Sequence, residues 1–397
     1  MPNLHAVIGA NFGDEGKGLM TDYLADGPKS LVIRYNGGAQ AGHTVVTPDG
    51  KRHVFHHIGS GAFRGAPTFL SEHFLVNPLV FADEMKELAA LGVTPVVYVD
   101  PRARVSTPWD MMLNQAVERS RGESRHGSCG LGIHETVVRS AKPEMILTVS
   151  DLVSGKYADK LQRIRTQYVH SRAYELGLNL DKDIPLHNNY GIERHFMEDI
   201  HFFQKSVLPM MWAPALARQF NDLVFEGAQG LRLDEESSYF PHVTCSKTGL
   251  HNVSKMVEQA DLMGETMYAA YMTRAYVTRH GAGPLPHQHS GRPYNIVDST
   301  NIPNPWQETL RFAYHDIQEF AAFVLGDWKG GSNGMRVDPY LTITCADQVG
   351  GEVHWYDKGE LKSGSVHELA TNLSYKAGLA NEVWVSKGPT RADIEPL

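Results

Sequence analysis

The sequence contains no hydrophobic run that approaches the ~20 residues needed to span a membrane, and its first residues lack the basic and apolar segments of a signal peptide. Its basic residues are scattered, and the formal net charge is -8. That balance argues against a nucleic-acid polymer as partner, although not against one phosphorylated small molecule. We therefore expect a cytoplasmic protein that binds neither membranes nor nucleic-acid polymers.

Cysteine is scarce, whereas histidine is abundant. The three cysteines lie far apart among 397 residues and form no CxxC pair, which is typical of a reducing compartment. The twenty histidines raise the question of a metal site, above all at His53, His56 and His57. Because no carboxylate or cysteine completes a ligand set beside them in the sequence, we do not favour a metal site there.

Short β-branched runs alternate with longer amphipathic stretches along the chain. The runs predict strands at residues 4–9, 31–35, 96–100, 223–227, 267–277, 340–347 and 382–388. Helical spacing follows the first strand and begins again at Pro78, where proline suits a first helical turn. The alternation predicts an α/β fold with a mainly parallel central sheet and helices on both faces.

Two segments depart from this alternation. Residues 155–207 are rich in Lys, Arg, Tyr and Glu at helical spacing and predict a helical insertion. Residues 286–305 form the most polar loop, which we expect to be a mobile lid. Because no repeat, low-complexity tract or Pro/Ser linker divides the chain, residues 1–397 are predicted to form a single domain.

The first predicted strand runs directly into a glycine-rich turn, GANFGDEGKG, at residues 9–18. Glycines let backbone N–H groups approach phosphate oxygens, and Lys17 would lie near the β- and γ-phosphates. The turn is not a standard P-loop, because Gly18 stands where a Ser or Thr would hold magnesium. Asp14 is the nearest alternative oxygen for Mg²⁺. A tight strand-to-helix connection without a ligand is the other interpretation.

Two more segments accompany the turn: NGGAQAGHT at residues 36–44 and FEGAQG at residues 225–230. Together with GDEGKG they resemble the three most diagnostic segments of adenylosuccinate synthetase. Weaker matches follow in the same order: HGSCGLGI, FPHVTCSKTG, TRHGAGPLP, TCAD and SKGPTR. The resemblance extends over nearly the whole chain. It implies a P-loop-related α/β fold with one composite active site.

The resemblance implies a ligase that joins aspartate to C6 of a purine nucleotide. An amine cannot displace the C6 oxygen until that oxygen is phosphorylated, and O6 becomes a nucleophile only after N1–H loses its proton. Asp14 resembles the family's base, and His43 resembles the group that stabilises charge on the transferring phosphoryl and on O6. An N-cap role for Asp14 and a loop hydrogen-bonding role for His43 are the alternatives.

The same resemblance assigns the remaining site residues by function. The catalytic residues are Asp14, Lys17, His43 and Gln229. The magnesium ligands are the Asp14 carboxylate and the Gly42 carbonyl. The nucleoside triphosphate contacts Gly13, Glu15, Gly16, Lys17, Gly18, Gly42, Thr44, Asp347 and Gly388. The purine monophosphate contacts Asn11, Asp14, Gln40, Ser128, Cys129, Arg139, Gln229 and Thr244.

Within the monophosphate group, Gln229 would hydrogen-bond the base and Thr244 the 5′-phosphate. Ser128 and Cys129 stand where the family has threonines, and the cysteine thiol is a poorer donor than a hydroxyl. Arg139 matches an arginine that reaches the phosphate of the neighbouring subunit. That match implies a homodimer, and a solvated surface arginine is the alternative.

The chain departs from the family in the loop that holds the amino acid. Residues 300–307 (TNIPNPWQ) contain no arginine, and the next one is Arg311. In the family a run of arginines holds the aspartate carboxylates, and one reaches the ribose 2′-hydroxyl. Asn301, Asn304 and Arg311 are the remaining candidates for amino-acid binding. Loss of the 2′-hydroxyl contact favours a deoxyribonucleotide.

Two further departures concern the nucleotides. Cys345 replaces the lysine that the family has two residues before the aspartate at Asp347, which weakens the case for a strictly GTP-dependent enzyme. Gln40 replaces the more usual asparagine. These features resemble a phage-associated branch that acts on dGMP, leads to diaminopurine DNA and accepts adenine nucleotides as donors. That branch often has a small residue at the position of Asp14, which is retained here.

The expected function is therefore conversion of dGMP, aspartate and a nucleoside triphosphate into N6-succino-2-amino-2′-deoxyadenylate, with Mg²⁺, in a host cytoplasm if phage-encoded. Ordinary adenylosuccinate synthesis from IMP and GTP is the alternative. A nucleotide kinase or GTPase, which would need no aspartate, and a non-catalytic nucleotide sensor are alternatives of another class.

Overall fold

A ten-stranded sheet forms the centre of the molecule in the computed structural model, which describes residues 1–122, 125–298, 301, 309–380 and 382–397. The strands, numbered in chain order and given in spatial order, are β17 (Ile394–Pro396), β16 (Val383–Ser386), β13 (Arg336–Thr344), β9 (Thr266–Arg274), β1 (Asn3–Gly9), β8 (Asp222–Gly230), β2 (Ser30–Arg34), β5 (Thr68–Leu70), β6 (Val97–Val99) and β7 (Leu208–Pro209). β16 and β17 are antiparallel, and the other neighbours are parallel.

The central strands are buried on both faces, as their near-continuous apolar runs require. All five residues of β2 are buried, and β1 is buried from Ala6 to Gly9. Leu4 of β1 lies beside Leu223 of β8 and Met267 of β9. The predicted α/β fold with a mainly parallel sheet is confirmed.

Helices account for most of the remaining regular structure. They are α1 (Lys17–Leu24), α2 (Pro78–Ala90), α3 (Pro108–Arg121), α4 (Ile133–Ser140), α5 (Val149–Val153), α6 (Ala158–Arg163), α7 (Val169–Glu175), α8 (Leu180–Asp183), α9 (Tyr190–Ser206), α10 (Pro214–Ala217), α11 (Leu250–Gln259), α12 (Ile317–Gly326) and α13 (Val366–Ala377). α2 begins at Pro78 as predicted, and the Asn77 side chain caps it by accepting hydrogen bonds from the Leu79 and Val80 amides. None of the helices in the described ranges is long and apolar enough to cross a membrane.

The segment predicted as a helical insertion contains α6 to α9, and a π-helical turn at Ile164–Tyr168 joins α6 to α7. Its apolar residues pack into a cluster beside β5 and β6, separate from the larger cluster around β1, β8 and β9. Leu161, Ile200 and Phe203 are fully buried there. The helical content predicted for residues 155–207 is thus confirmed.

Three smaller sheets were not predicted. They are the hairpin of β3 (His43–Val46) and β4 (Arg52–Phe55), the pair β10 (Val277–Arg279) and β11 (Arg311–Ala313), and the trio β12 (His315–Asp316), β14 (Val353–Asp357) and β15 (Glu360–Gly364). The prediction of a single strand at 267–277 is wrong in one respect, because β9 ends at Arg274 and β10 begins at Val277.

Of the predicted lid, the structure describes residues 286–298 and 301, and the mobility of this loop stays a prediction.

Candidate active site

Three motif loops meet at the carboxyl ends of adjacent parallel strands. β1 leads into the glycine-rich turn, β8 ends in the 225–230 segment, and β2 leads into the 36–44 segment. Gly9 lies beside Gly230 on one side and Met272 on the other. A Cβ at Gly230 would collide with the Asn11 carbonyl, so glycine is needed for this close approach. Ligands of open α/β sheets bind at this edge of the strands.

Lys17 and Glu15 lie beneath the glycine-rich turn. Their side chains are 3% and 2% exposed, and Lys17 Nζ is 3.8 Å from Glu15 Oε2. Glu15 Oε1 also accepts a hydrogen bond from the Asn11 amide at 2.5 Å. Burial raises the pKa of Glu15 to about 7 and lowers the pKa of Lys17. A phosphate in this turn would therefore compete with Glu15 for the Lys17 ammonium group.

Asp14 has a left-handed backbone conformation, which is uncommon for residues other than glycine. Its φ is 59°, in the left-handed region that costs roughly 1–3 kcal/mol for a residue other than glycine. Its carbonyl accepts a hydrogen bond from Arg274 Nε at 2.5 Å, and its carboxylate is 28% exposed. The residue that caps α1 is Gly16, without a side-chain hydrogen bond, so Asp14 is not the N-cap. The carboxylate points instead toward His280, with Oδ2 3.6 Å from Nε2.

His43 is held from behind by a buried charged network. Its Nδ1 lies 2.6 Å from Glu226 Oε1 and 2.8 Å from Arg34 Nη1. Glu226 also pairs with Arg34 at 3.1 Å and accepts hydrogen bonds from the Ser60 amide and hydroxyl. Burial alone would raise the pKa of Glu226, but Arg34 and His43 hold it at about 2. Glu226 is therefore ionised and accepts the Nδ1 proton.

The same network sets the charge of the His43 ring. Burial and the Arg34 guanidinium lower the pKa of His43 to about 4, against the opposing effect of Glu226. The ring is therefore neutral at pH 7 before a ligand binds. Gly18 of α1 makes room for it, since a Cβ there would lie 3.0 Å from His43 Cβ and 3.1 Å from Ser60 Oγ.

Buried side-chain amide atoms without hydrogen-bond partners lie beside these charged residues. Gln229 Oε1, Asn11 Oδ1 and both polar atoms of the Gln40 amide are buried and have no hydrogen-bond partner. Gln229 Oε1 and Gln40 Nε2 approach each other beside Gly37. Each lies 3.4 Å from the point where a side chain at Gly37 would place its Cβ. Leaving such a group unpaired costs about 1–3 kcal/mol each, so the cluster fits a ligand that supplies the missing partners.

Comparison with known proteins agrees with this geometry. A profile of the family described as adenylosuccinate synthetase matches residues 6–302. The adenylosuccinate synthetase of Acinetobacter baylyi is 32% identical over 304 residues, which cover 70% of this chain and 63% of that protein. The chain belongs to the adenylosuccinate synthetase family. The corresponding protein of Neisseria gonorrhoeae is 32% identical over 294 residues, covering 70% and 64%. The matched region spans less than two thirds of these curated relatives.

Two solved structures share the fold over almost the whole chain. Adenylosuccinate synthetase from Plasmodium falciparum, fully ligated, superposes with a TM-score of 0.66 at 17% identity, covering 99% of both chains. The succinoaminodeoxyadenylate synthetase of cyanophage S-2L, bound to dGMP and dATP, superposes with a TM-score of 0.60 at 14% identity, covering 100% of this chain and 95% of that one. At these identities the likeness establishes the fold.

The family resemblance assigned two residues near the end of the chain, Asp347 and Gly388, to the nucleoside triphosphate. Both lie at the carboxyl ends of the parallel strands, as the motif loops do. Asp347 is exposed in a short turn after β13, and Thr344 of that strand donates a hydrogen bond to the Glu15 carbonyl at 3.2 Å. Gly388 follows β16, the neighbour of β13. Thr44 lies in β3, and its hydroxyl is buried without a partner. Their contacts with a nucleotide stay predictions.

The segment assigned to the 5′-phosphate packs against the loop that carries His280. The Ala282 amide donates to the His126 carbonyl at 3.2 Å. Ser128 and Asn114 exchange hydrogen bonds through their side chains. Burial raises the pKa of Cys129 to about 11, so its thiol stays neutral. Phosphate binding by Ser128, Cys129 and Thr244 stays a prediction.

The structure places Arg139 inside the protein and not at its surface, and the phosphate contact expected of it stays a prediction. Arg139 is fully buried, and its guanidinium forms two hydrogen bonds with the Asp110 carboxylate, both at 2.9 Å. Its other donors bond to the carbonyls of Met145 and Val105, each at 2.7 Å. Contact with the phosphate of a neighbouring subunit would require this side chain to break these four hydrogen bonds. The homodimer, which was predicted from Arg139, stays a prediction.

The amino-acid candidates line one cavity of about 400 Å³. Asn301 and Arg311 contribute to its wall, together with Arg292 and Asp298, which the sequence did not single out. Arg311 donates to the carbonyls of Gly281 and Gly283 and to Gln288 Oε1. Asn304 lies outside the described residues.

The histidine group at residues 53–57 has a structural role. Glu84 accepts hydrogen bonds from the backbone amides of His56, His57 and Ile58, and its carboxylate lies 3.5 Å from His57 Nδ1. His56 Nδ1 lies 2.6 Å from the Ala41 carbonyl and so supports the loop that leads to His43. Across the ranges that the structure covers, no group of three or more His, Cys, Asp or Glu residues could hold a metal ion.

The Arg139–Asp110 pair predicts an effect on stability. Asp110→Ala leaves a buried guanidinium without its counter-charge, so we expect the free energy of unfolding to fall by about 3–5 kcal/mol. Arg139→Met leaves the Asp110 carboxylate unpaired and should lower the free energy of unfolding by a comparable amount. Denaturant unfolding measures both. Arg218→Met, which removes an exposed pair with Asp261, is the control and should cost at most about 1 kcal/mol. Unchanged stability in Arg139→Met, with weakened monophosphate binding, would support the original assignment.

Proposed function

We propose that the protein is a carbon–nitrogen ligase that phosphorylates O6 of a purine nucleoside monophosphate and replaces that phosphate by the amino group of L-aspartate. The observation that carries this proposal is the convergence of Asp14, Lys17, His43 and the unpaired Gln229 amide at one edge of the sheet. A carboxylate, a buried ammonium, an imidazole and a base-reading amide are the groups that the two-step reaction needs.

In the first step, the Asp14 carboxylate takes the proton from N1 of the base, and O6 attacks the γ-phosphorus of the triphosphate. The nucleoside diphosphate leaves. In the second step, the amino group of aspartate attacks C6 and inorganic phosphate leaves with the former O6. Lys17 neutralises the triphosphate once phosphate has displaced Glu15, its partner at 3.8 Å.

His43 would act through Nε2. Since Nδ1 already donates to Glu226, only Nε2 remains for a substrate oxygen. In the neutral ring Nε2 carries no proton. The negative charge of a bound triphosphate favours protonation of Nε2, which gives the imidazolium form of His43. Nε2–H then donates to the transferring phosphoryl group or to O6, where charge develops.

The site fits magnesium. Mg²⁺ prefers hard oxygen ligands, usually one or two carboxylates together with substrate phosphates and water. The part-exposed Asp14 carboxylate and the exposed Gly42 backbone could supply such ligands beside the glycine-rich turn. When bound, the ion would neutralise charge on the phosphates and polarise them for attack.

We further propose that the purine substrate is dGMP, with an adenine nucleotide as donor. Guanine carries two N–H bonds at C2 that hypoxanthine lacks, and the site holds several buried acceptors without partners, among them Asn11 Oδ1 and Gln229 Oε1. The side-chain Nδ2 of Asn11 donates a hydrogen bond to Thr273 Oγ1, whereas its Oδ1 accepts none. The absence of arginine from residues 300–307 favours deoxyribose, and the cyanophage protein of the same fold binds dGMP and dATP.

Synthesis of adenylosuccinate from IMP and GTP is the second candidate. The names of the sequence relatives favour it, as does the retained Asp14. Under either proposal the cavity with Arg292 and Arg311 would receive the amino acid, because guanidinium groups bind carboxylates well.

Competing-substrate kinetics distinguishes the two purines. With IMP the buried acceptors would stay without donors, which costs about 1–3 kcal/mol, so we expect dGMP to be preferred over IMP by roughly 5- to 150-fold in kcat/KM. ATP or dATP should serve at least as well as GTP. Mass spectrometry of the succinyl nucleotides formed from mixed substrates measures both preferences. A clear preference for IMP with GTP would contradict the dGMP proposal, and triphosphate turnover that does not need aspartate would contradict the ligase.

Glu226→Gln tests the network behind His43. The change keeps the shape but removes the charge that pairs with Arg34, orients His43 and favours its imidazolium. We therefore expect the free energy of unfolding to fall and, in the folded protein, kcat to fall by about 10²-fold or more. Nucleotide dissociation constants, measured by calorimetry, should change little. Ser60→Ala removes one hydrogen bond to Glu226 and keeps its charge, and should lower kcat much less. Equal losses of binding and turnover in Glu226→Gln would show that the carboxylate only maintains the fold.

A further inference from the structure

We propose that His280 is a positioning residue for Asp14, and that through Asn301 it couples the purine site to the cavity lined by Arg292 and Arg311. The inference rests on the proposed function. The sequence motif that contains His280, TRHGAGPLP, was one of the weaker family matches, and the histidine itself was given no role.

His280 stands directly after β10 with its side chain 16% exposed, between two acceptors. Its Nε2 lies 3.0 Å from Asn301 Oδ1 and 3.6 Å from Asp14 Oδ2. Asn301 Nδ2 donates to Asp298 Oδ2 at 2.7 Å, and a carboxylate only accepts, so the oxygen of the Asn301 amide must face His280. Since both neighbours of Nε2 are oxygens, Nε2 carries the proton.

A second chain of contacts reaches Asp14 from the same carboxylate. Asp298 Oδ2 lies 3.3 Å from both Nη1 and Nη2 of Arg274. Arg274 Nε in turn donates to the Asp14 carbonyl at 2.5 Å. Asp14 is therefore held at its carbonyl through Arg274 and approached at its carboxylate through His280, and both routes meet at Asp298.

One N–H cannot form good hydrogen bonds with two acceptors at once. In this structure Asn301 has the shorter contact, and the Asp14 carboxylate lies just beyond hydrogen-bond distance. Asn301 and Asp298 also line the cavity expected to hold the amino acid. A ligand that draws the Asn301 amide toward the cavity would leave the His280 Nε2–H group free to donate a hydrogen bond to the Asp14 carboxylate, which would fix the orientation of this base. Aspartate binding would thus prepare the purine site.

The test is a double-mutant cycle on the whole protein, read by succinyl-nucleotide formation. His280→Phe should lower kcat about tenfold or more, as expected for a lost hydrogen bond to a charged group, with the KM for monophosphate and triphosphate nearly unchanged. His280→Gln keeps a donor and should restore most of kcat. Adding Asn301→Ala to His280→Phe should cause no further loss of kcat, because the coupling is already broken. His251→Phe, at an exposed position of α11, is the control and should behave like wild type.

Losses that multiply in the double variant would overturn the coupling, and a His280→Gln enzyme as slow as His280→Phe would show that the ring only fills space. If His280→Phe unfolds at a lower temperature, His280→Asn replaces it, since that shorter side chain cannot bridge Asp14 and Asn301 and the same loss is expected. An active wild type with unaffected His280 variants overturns this inference alone. A wild-type protein that forms no succinyl nucleotide overturns the proposed function and the inference with it.

Discussion

The ion pair between Arg34 and Glu226 is the constraint on which the site depends. The parallel register of β2 and β8 places the two residues side by side, and both are fully buried. Removing either partner would leave a charge in the core without compensation, which typically costs about 3–5 kcal/mol. The pair also fixes what surrounds it: His43 Nδ1 donates to Glu226 and lies 2.8 Å from Arg34 Nη1, and the Ser60 amide donates to Glu226. The position of the β3–β4 hairpin follows from this network.

The positions of the motif loops follow from the order of the strands. β1 lies between β8 and β9, with β2 beyond β8, so loops separated by some two hundred residues in the chain become neighbours. Glycines at Gly9, Gly18 and Gly230 permit the close approaches, because a Cβ at each would meet a polar side chain or a carbonyl. The strained φ of Asp14 and the unpaired amide of Gln229 are tolerated within this frame. Such features are typical of sites prepared for a ligand.

The sequence alone predicted the elements whose signals are local. β-branched runs revealed β1, β2 and β8, and glycine spacing revealed the glycine-rich turn, because these patterns depend on adjacent residues. The partners of the site residues depend on strand pairing, so Glu226, Ser60 and His280 were not assigned roles. One signal was present: Arg34 and Glu226 each lie in an apolar run that predicts a buried strand, and a buried charge requires a partner. The burial of Arg139 was missed for the opposite reason, since its place in a motif says nothing about burial.

The choice of purine depends on the same physical principle as the fold, namely that buried polar groups need partners. The unpaired acceptors near Asp14 favour a base with extra N–H donors, whereas the names of the sequence relatives favour hypoxanthine. In both cases the amino acid would enter a cavity whose guanidinium groups come from Arg292 and Arg311, outside the family's usual arginine run. Such a cavity would let the loop lose its arginines and still keep positive charge for carboxylates.

The proposed reaction depends on phosphorylation of the purine O6, which turns this oxygen into part of a leaving group. To test this step, the purine monophosphate is supplied with ¹⁸O at C6, together with aspartate and a nucleoside triphosphate, and the label is followed by mass spectrometry. Inorganic phosphate should gain one ¹⁸O for each succinyl nucleotide formed. Unlabelled phosphate would contradict the proposed reaction, because the triphosphate would then be hydrolysed by water and O6 would not be activated.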